Sequence, residues 1–289
     1  MPELPEVETL RRNLEPTLVG RRFAQVDITL PKLFLGLAGL QPDDLVGRRV
    51  ERIRRRAKLL VFDLSEDLAL VFHLRLSGQL VHRSRDGVAL ASGGHPVPAF
   101  GAPLPHKATH ASFGFDDGSV LYLTDIRQFG RIWLLPAAML RDFLERSRLG
   151  PEPLADAFSE EQLRARLARR PRAALKPLLL DQTFLGGVGN IYADEIAFEA
   201  RLSPLAPVGD LGPERPADLY RAIRSVLHHA VTNGVADIRN GRTNPERDFP
   251  RVHGRAGQPC PRCGTTIVKT YAAGRGTYTC PRCQGYPPG

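Results

Sequence analysis

Residues 260–264 read Cys260-Pro261-Arg262-Cys263-Gly264, and residues 280–283 read Cys280-Pro281-Arg282-Cys283. Sixteen residues separate the two Cys-x-x-Cys pairs, and the chain has 4 cysteines in all. Each pair presents two thiolates to one ion, and two such knuckles complete a tetrahedral zinc site. A redox pair or free thiols would be the alternative, but clustering in one short stretch, with no other cysteine to pair with, favours metal. Protein ligands fill all four positions, so one structural Zn2+ is expected on Cys260, Cys263, Cys280 and Cys283. Its task would be to fold a hairpin that turns at Gly274–Gly276 and carries Arg275 at its tip.

Outward from this module the chain divides into halves of different periodicity. Residues 237–251 are polar and irregular. Before them the pattern is helical: Ser159 and Gln162 form a capping box ahead of Leu163 and Leu167, Leu175–Leu180 start a second helix, and a Gly-rich turn at 186–189 leads into Asn190–Ala200. A long helix is expected from Ala217 to Asn233, closed by Gly234. Pro136, Gly150, Pro151 and Pro153 mark residues 136–158 as a linker. From 21 to 135, short apolar runs such as Leu59-Leu60-Val61-Phe62 and Val120-Leu121-Tyr122-Leu123 alternate with turn signals. Asp117-Gly118 reads as a hairpin turn, and 83–107, rich in Gly, Pro, Ser and His, reads as a loop. At the front, Val7, Leu10, Leu14 and Leu18 have helical spacing and Gly20 stops the helix. The expected domains are 1–135, β-rich with a leading helix; a linker at 136–158; a helical domain at 159–236; and 237–289, which holds the cysteine module.

The 289 residues are enough for two or three modest domains, and 42% hydrophobic with 25% charged is a globular composition. No apolar run reaches the roughly 18 residues of a membrane span. The start Met1-Pro2-Glu3 lacks the basic, apolar character of a secretory signal, so a cytoplasmic location is expected. Lys and Arg number 40 against 31 Asp and Glu, a net charge of +9 with a pI near 9.8. That balance suits a polyanionic partner, although many Arg-rich soluble proteins are simply basic.

Pro2 admits two readings. Initiator methionine is commonly removed before a small residue, which would expose a secondary amine that is partly neutral at pH 7 and able to attack a sugar C1′. Glu3 and Glu6 could then move protons. The plainer reading is a helix start, where Pro at the first turn and acids near the dipole are ordinary.

A series of stretches tips this balance. Pro2-Glu3-Leu4-Pro5-Glu6-Val7-Glu8-Thr9 resembles the opening of the formamidopyrimidine-DNA glycosylase family. So, in the same order, do Arg56-Ala57-Lys58-Leu59-Leu60, His73-Leu74-Arg75-Leu76-Ser77-Gly78 and Asp125-Ile126-Arg127-Gln128-Phe129-Gly130. Leu149-Gly150-Pro151-Glu152-Pro153-Leu154, Gly187-Val188-Gly189-Asn190-Ile191-Tyr192-Ala193-Asp194-Glu195 and Val252-His253-Gly254-Arg255 continue it into the cysteines. The resemblance covers nearly the whole chain. It implies an α+β multidomain clamp around double-stranded DNA: an N-terminal β-sandwich with a leading catalytic helix, then a helix–two-turn–helix domain and a C-terminal zinc finger. The implied activity is base-excision repair by a monomer, a glycosylase and abasic-site lyase that flips out oxidised purines. The base is removed through a Schiff base, and the strand is then cut by β- and δ-elimination.

By position, Pro2 matches the family's nucleophile, Glu3 the general acid of base release, and Lys58 the lysine near the sugar and scissile phosphate. Arg275 matches the arginine that grips phosphate in the second elimination. Asn190, Arg172 and Lys176 match a phosphate-binding region. Arg127 and Phe129 match residues that fill the vacated gap and probe the opposite strand, and Leu76 takes the place of the base-stack plug. His73 and His110 either touch phosphate or pack.

The chain also departs from the pattern. The family usually has Gly-Met where Arg75-Leu76 stand, and Pro where Ile126 stands. The segment 236–244 is shorter than the usual lesion-covering loop, so 8-oxoguanine is expected to be handled less well than formamidopyrimidines or ring-damaged pyrimidines. Two other functions compete. An endonuclease VIII-like enzyme for oxidised pyrimidines generally has Gly where Leu4 stands. A non-catalytic binder of damaged DNA would have no need of Pro2, Glu3 and Lys58 together.

Overall fold

In a computed structural model of the chain, which describes residues 1–233 and 249–285, the helical spacing at the front becomes α1 (Leu4–Leu18). Val7, Leu10, Leu14 and Leu18 are buried along one face, and Gly20, at φ +92°, turns the chain away. Strands follow as β1 (Phe23–Ile28), β2 (Phe34–Gly36), β3 (Val50–Arg56), β4 (Leu59–Leu64), β5 (Leu68–His73) and β6 (Gly78–Arg83). Next come β7 (Ala89–Gly94), β8 (Thr109–Phe115), β9 (Val120–Asp125) and β10 (Arg131–Pro136), and then α2 (Ala137–Arg146). Among the described residues they make two five-stranded sheets, ordered β1-β8-β9-β6-β7 and β2-β10-β5-β4-β3. One apolar cluster joins the two sheets, with Phe72 of one meeting Phe113 of the other edge-on at 5.7 Å. Asp117-Gly118 turns β8 into β9 as expected, with Gly118 at φ +81°.

Two segments differ from the sequence reading. The loop expected at 83–107 contains β7, whose residues Ala89-Leu90-Ala91-Ser92-Gly93-Gly94 carry little strand propensity. Their small size has a use: a Cβ on Gly93 would come within 2.9 Å of the Leu10 side chain, so glycine there lets α1 lie against β7. The linker expected at 136–158 contains α2, with Leu140 buried and Phe143 against Trp133 at 5.3 Å. The flanking prolines and glycines mark the ends of this helix, and its apolar residues were the signal for it.

The chain divides into two compact units, Met1–Arg148 and Leu149–Gly289. The second contains α3 (Glu160–Ala168), α4 (Leu175–Leu180), α5 (Asn190–Glu199) and α6 (Arg215–Asn233), then β11 (Val268–Ala272), β12 (Arg275–Thr279) and α7 (Pro281–Gln284). Ser159 Oγ accepts the Gln162 N–H at 3.2 Å to start α3. Tyr192 and Leu227 lie fully buried in the helical core. The cysteine module has a small core of its own, in which Val252, Ile267, Cys260 and Cys280 pack on Phe198 of α5. Arg262 covers the same ring, its guanidinium 4.2 Å from the centroid, and donates to the Phe198 carbonyl at 2.6 Å. Gly234 and the expected lesion loop at 236–244 lie outside the described residues.

Candidate active site and nucleic-acid interface

At the head of α1, Pro2 and Glu3 are buried. Glu6 reaches back and accepts the Glu3 N–H at 2.8 Å, which fixes the backbone of the first turn. Glu6 thus serves the helix start. The chain's terminal ammonium lies near enough to His95 that, after burial, its charge lowers the imidazole's affinity for a proton.

One turn into α1, Glu8 receives Arg11, Arg12 and Arg55. Burial alone would raise its pKa; the three guanidiniums outweigh burial and hold the carboxyl below its usual range. Arg55 bonds Glu8 at 3.1 Å and also the Ala57 carbonyl at 3.0 Å. Ala57 stands at φ +51° in the short turn between β3 and β4, immediately before Lys58. One chain of contacts therefore ties the helix that bears Pro2 and Glu3 to the turn that bears Lys58, itself 8% exposed.

The motifs His73–Gly78 and Asp125–Gly130 form a pair of loops joined by one carboxylate. Asp125, fully buried, accepts the Gly130 N–H at 2.7 Å, the Arg127 N–H at 3.2 Å and the Ser77 hydroxyl. Ser77 Oγ in turn accepts the Arg127 N–H at 3.0 Å. In the first loop the Gly78 N–H closes on the Leu74 carbonyl at 2.9 Å. A Cβ on Gly78 would fall 2.4 Å from that oxygen, so only glycine fits. Leu76 is half-buried, while Arg127 and Phe129 project outward, Phe129 48% exposed with the Arg127 guanidinium 5.3 Å from its ring. A phenyl ring so exposed, on a backbone so fully bonded, is not core packing.

The two histidines separate. His110 is buried and its Nε2–H donates to the Asp125 carbonyl at 3.1 Å. It braces the second loop, which is the packing alternative of its two readings. His73 accepts the Arg75 N–H on Nδ1 at 3.0 Å. Burial first, then the charges of Arg75 and Lys58, push its pKa down to about 3. It is neutral and keeps a proton on Nε2 to donate.

In the second unit Gly189 caps α5, and Asn190 is its first residue. Asn190 Nδ2 and Lys176 Nζ both donate to the Gly276 carbonyl, at 3.1 and 2.8 Å. Lys176 is fully buried against Asp194 at 2.7 Å, and Asp194 also meets His253 Nδ1 at 2.7 Å. Lys176 therefore cannot extend to a phosphate, because its ammonium is committed inside the unit; it positions the hairpin residue that follows Arg275. Arg275 itself is exposed at the start of β12, and Arg172 is exposed before α4. The hairpin turns at Ala273-Gly274 (φ +48° and +72°) rather than over Gly274–Gly276, a two-residue turn that needs positive φ at both positions. Gly276 lies inside the strand, where its carbonyl receives Lys176 and Asn190.

The four cysteine sulfurs lie within 4.8 Å of one another. Zn–S bonds of about 2.3 Å in a tetrahedron set sulfurs roughly 3.8 Å apart. Cys260 and Cys283 are 3.8 Å apart, and Cys263 and Cys280 are 3.4 Å apart. The site fits a structural zinc with four thiolate ligands.

Sequence reading assigned no role to Asp125, Ser77, Asp194 or His253. All four lie inside motifs it quoted, and what it lacked was the partner each finds across the fold.

Residues 1–132 match the formamidopyrimidine-DNA glycosylase N-terminal domain, residues 149–240 its H2TH domain, and residues 257–285 the zinc finger found in FPG and IleRS. The chain is 40% identical to the formamidopyrimidine-DNA glycosylase of Pelotomaculum thermopropionicum, covering 98% of this chain and 99% of that one. It is 41% identical to that of Heliobacterium modesticaldum, covering 98% and 100%. Among solved structures, a Lactococcus lactis FPG point mutant in complex with a Fapy-dG containing DNA superposes with a TM-score of 0.85 at 33% identity, over 98% of this chain and 99% of that one. MutM in complex with carbocyclic 8-oxo-G containing DNA gives 0.84 at 34% identity, with the same coverage. By its sequence over nearly its whole length, and by the zinc finger that its cysteines build, the chain belongs to the formamidopyrimidine-DNA glycosylase family.

Proposed function

We propose that the chain excises oxidised bases, formamidopyrimidines and 8-oxoguanine among them, from double-stranded DNA and then cuts the strand at the abasic site. The observation that carries this reading is the ordered head of α1. Pro2 and Glu3 are buried there, and Glu8, Arg55 and Ala57 link that helix to the Lys58 turn. Relatives of this family have been captured on DNA bearing Fapy-dG, on an abasic site and on an oxidised pyrimidine.

Removal of Met1 frees the Pro2 amine. Its lone pair attacks C1′ as the glycosidic bond breaks, and the base leaves with the bonding electrons and a proton that Glu3 supplies. The amine then loses its own proton, and the C1′–O4′ bond opens with protonation of O4′. An iminium remains between Pro2 and C1′. Loss of a C2′ proton expels the 3′ phosphate, and loss of the C4′ proton expels the 5′ phosphate. Lys58 assists at the sugar and first phosphate, and Arg275 grips phosphate for the second elimination. Arg172 and the first turn of α5 at Asn190 hold the backbone of the strand. Leu76, Arg127 and Phe129 fill the gap left by the flipped nucleotide, and the His73 Nε2–H donates to phosphate.

Borohydride reduction tests the chemistry, because it locks an iminium to DNA. The expected result is a covalent adduct with an 8-oxoguanine duplex and with an abasic duplex, lost in Pro2→Gly while DNA binding survives. No adduct on either duplex, with Met1 absent by intact mass, would favour a non-catalytic binder of damaged DNA. Lesion preference is tested by single-turnover excision, with formamidopyrimidines expected ahead of 8-oxoguanine. Fastest action on 8-oxoguanine would reverse that order.

A further inference from the structure

Arg75 stands at φ +53°, a backbone conformation that residues with a side chain rarely adopt. It directly precedes Leu76 and follows β5 by two residues. The register of that strand determines its neighbours. His73 lies across from Leu59 of β4 on one side and Arg131 of β10 on the other. Lys58, Arg75 and Arg131 thus emerge at one end of three adjacent strands.

Arg131 spends part of its guanidinium on the Gly130 carbonyl at 2.7 Å and the Phe129 carbonyl at 3.4 Å. Among the described residues no carboxylate pairs with Arg75 or with Arg131. The two cations act on each other instead: burial, and then the Arg131 charge, lower the affinity of Arg75 for its proton. His73, held neutral beside them, adds a donor and no charge. Elsewhere in this unit arginines in close array have acids among them, as Arg11, Arg12 and Arg55 have Glu8. An exposed cation on strained backbone, facing a second cation with no anion supplied by the protein, is a site that an external anion would complete.

We propose that Arg75 and Arg131 together hold one backbone phosphate of the bound DNA, next to the gap that Leu76 fills. This rests on the DNA-binding function proposed above and adds a contact to it. A phosphate between the two guanidiniums turns their repulsion into attraction and anchors the Leu74–Gly78 loop on the strand. The contact reads no base, so it strengthens binding equally whatever stands opposite the lesion.

The test uses the zinc-loaded full chain and a duplex with a stable tetrahydrofuran abasic analogue, with affinity measured across a salt series. Arg75→Gly removes the guanidinium and suits the left-handed backbone, so the fold is kept; a thermal melt verifies this. The expected loss is on the order of tenfold in affinity near 0.1 M salt. The slope of log K against log salt should become shallower by about 0.9, the value for one phosphate. Arg131→Gln should act in the same direction, and the double variant should lose less than the product of the two, because both residues grip one group. Unchanged affinity and slope in Arg75→Gly would overturn the proposal. So would a loss that varies with the opposite base at constant slope, which would make Arg75 a reader of bases. Wild-type chain that fails to bind the duplex at all would instead refute the function on which the proposal rests.

Discussion

Each unit is organised around a fully buried aspartate, and the two solve the cost of burial in opposite ways. Asp125 is satisfied by neutral donors, two backbone N–H groups and the Ser77 hydroxyl. Asp194 is satisfied by the Lys176 ammonium and by His253. The first holds two loops whose outer residues are the half-buried Leu76 and the exposed Arg127 and Phe129. The second fixes a hairpin whose exposed guanidinium, Arg275, has only to stay in place. Neutral donors suit loops that bring their own backbone N–H groups to the carboxylate. An ion pair suits elements far apart in sequence: the Lys176 side chain of α4 reaches both Asp194 of α5 and the Gly276 carbonyl of the hairpin. The difference predicts where each unit breaks.

The hairpin should fail first and most completely when its metal is removed. Cys260→Ser leaves three thiolates, and a finger whose core is little more than Val252, Ile267 and Phe198 cannot hold without zinc. Zinc content should fall to near zero by atomic absorption, and DNA affinity should fall more than about tenfold, the scale of a lost charged contact. Retained affinity without zinc would show that the Asp194 network alone fixes Arg275.

Next in size is Lys176→Met. It strands the Asp194 carboxylate in a fully buried site, with a cost of about 3–5 kcal/mol in urea unfolding. Adding Asp194→Asn should recover much of that loss, since the penalty belongs to the unpaired charge. A single-variant cost below about 1 kcal/mol would mean that water reaches the pair. Asp125→Ala is the matching break in the other unit. It leaves the Gly130 N–H and the Ser77 hydroxyl without their acceptor, while the Arg127 N–H keeps Ser77 Oγ, a cost of about 3 kcal/mol. Its functional mark should differ: excision of a paired lesion should slow much more than cleavage of a pre-formed abasic site, where no base has to be displaced. Equal slowing of both would mean that Asp125 supports the catalytic helix and not the loops.

These breaks also show what the sequence disclosed. The Val7-Leu10-Leu14-Leu18 spacing, the Asp117-Gly118 turn and the cysteine spacing are local signals, and each element appears where it was read. β7 escaped because its residues are small for the sake of a helix packed on it, a reason that exists only in three dimensions. Lys176 was assigned to phosphate because it matches a basic position of the family's phosphate-binding region; its commitment to Asp194, eighteen positions away, and to Gly276, one hundred away, leaves no trace in composition. Arg127, Phe129, Arg172 and Arg275 were assigned by resemblance alone, and the structure leaves all four exposed.

The smallest expected effect is on pH dependence, and it belongs to the first unit. His73 has its pKa lowered on folding from 6.5 to about 3. A group whose pKa falls on folding contributes stability that is fully present above its unfolded value and is lost as pH falls below it. The window therefore opens near pH 6.5 and closes near pH 3. At pH 5 the expected loss is about 2 kcal/mol relative to neutral pH, since each pKa unit is worth about 1.4 kcal/mol. His73→Gln keeps a polar side chain without the titration. The difference in stability between wild type and His73→Gln should therefore shrink steadily from pH 7 to pH 5 in urea unfolding. A constant gap between wild type and His73→Gln across that range would mean that His73 takes up its proton without leaving the fold. The neutral donor assigned to it beside Arg75 would then be a cation.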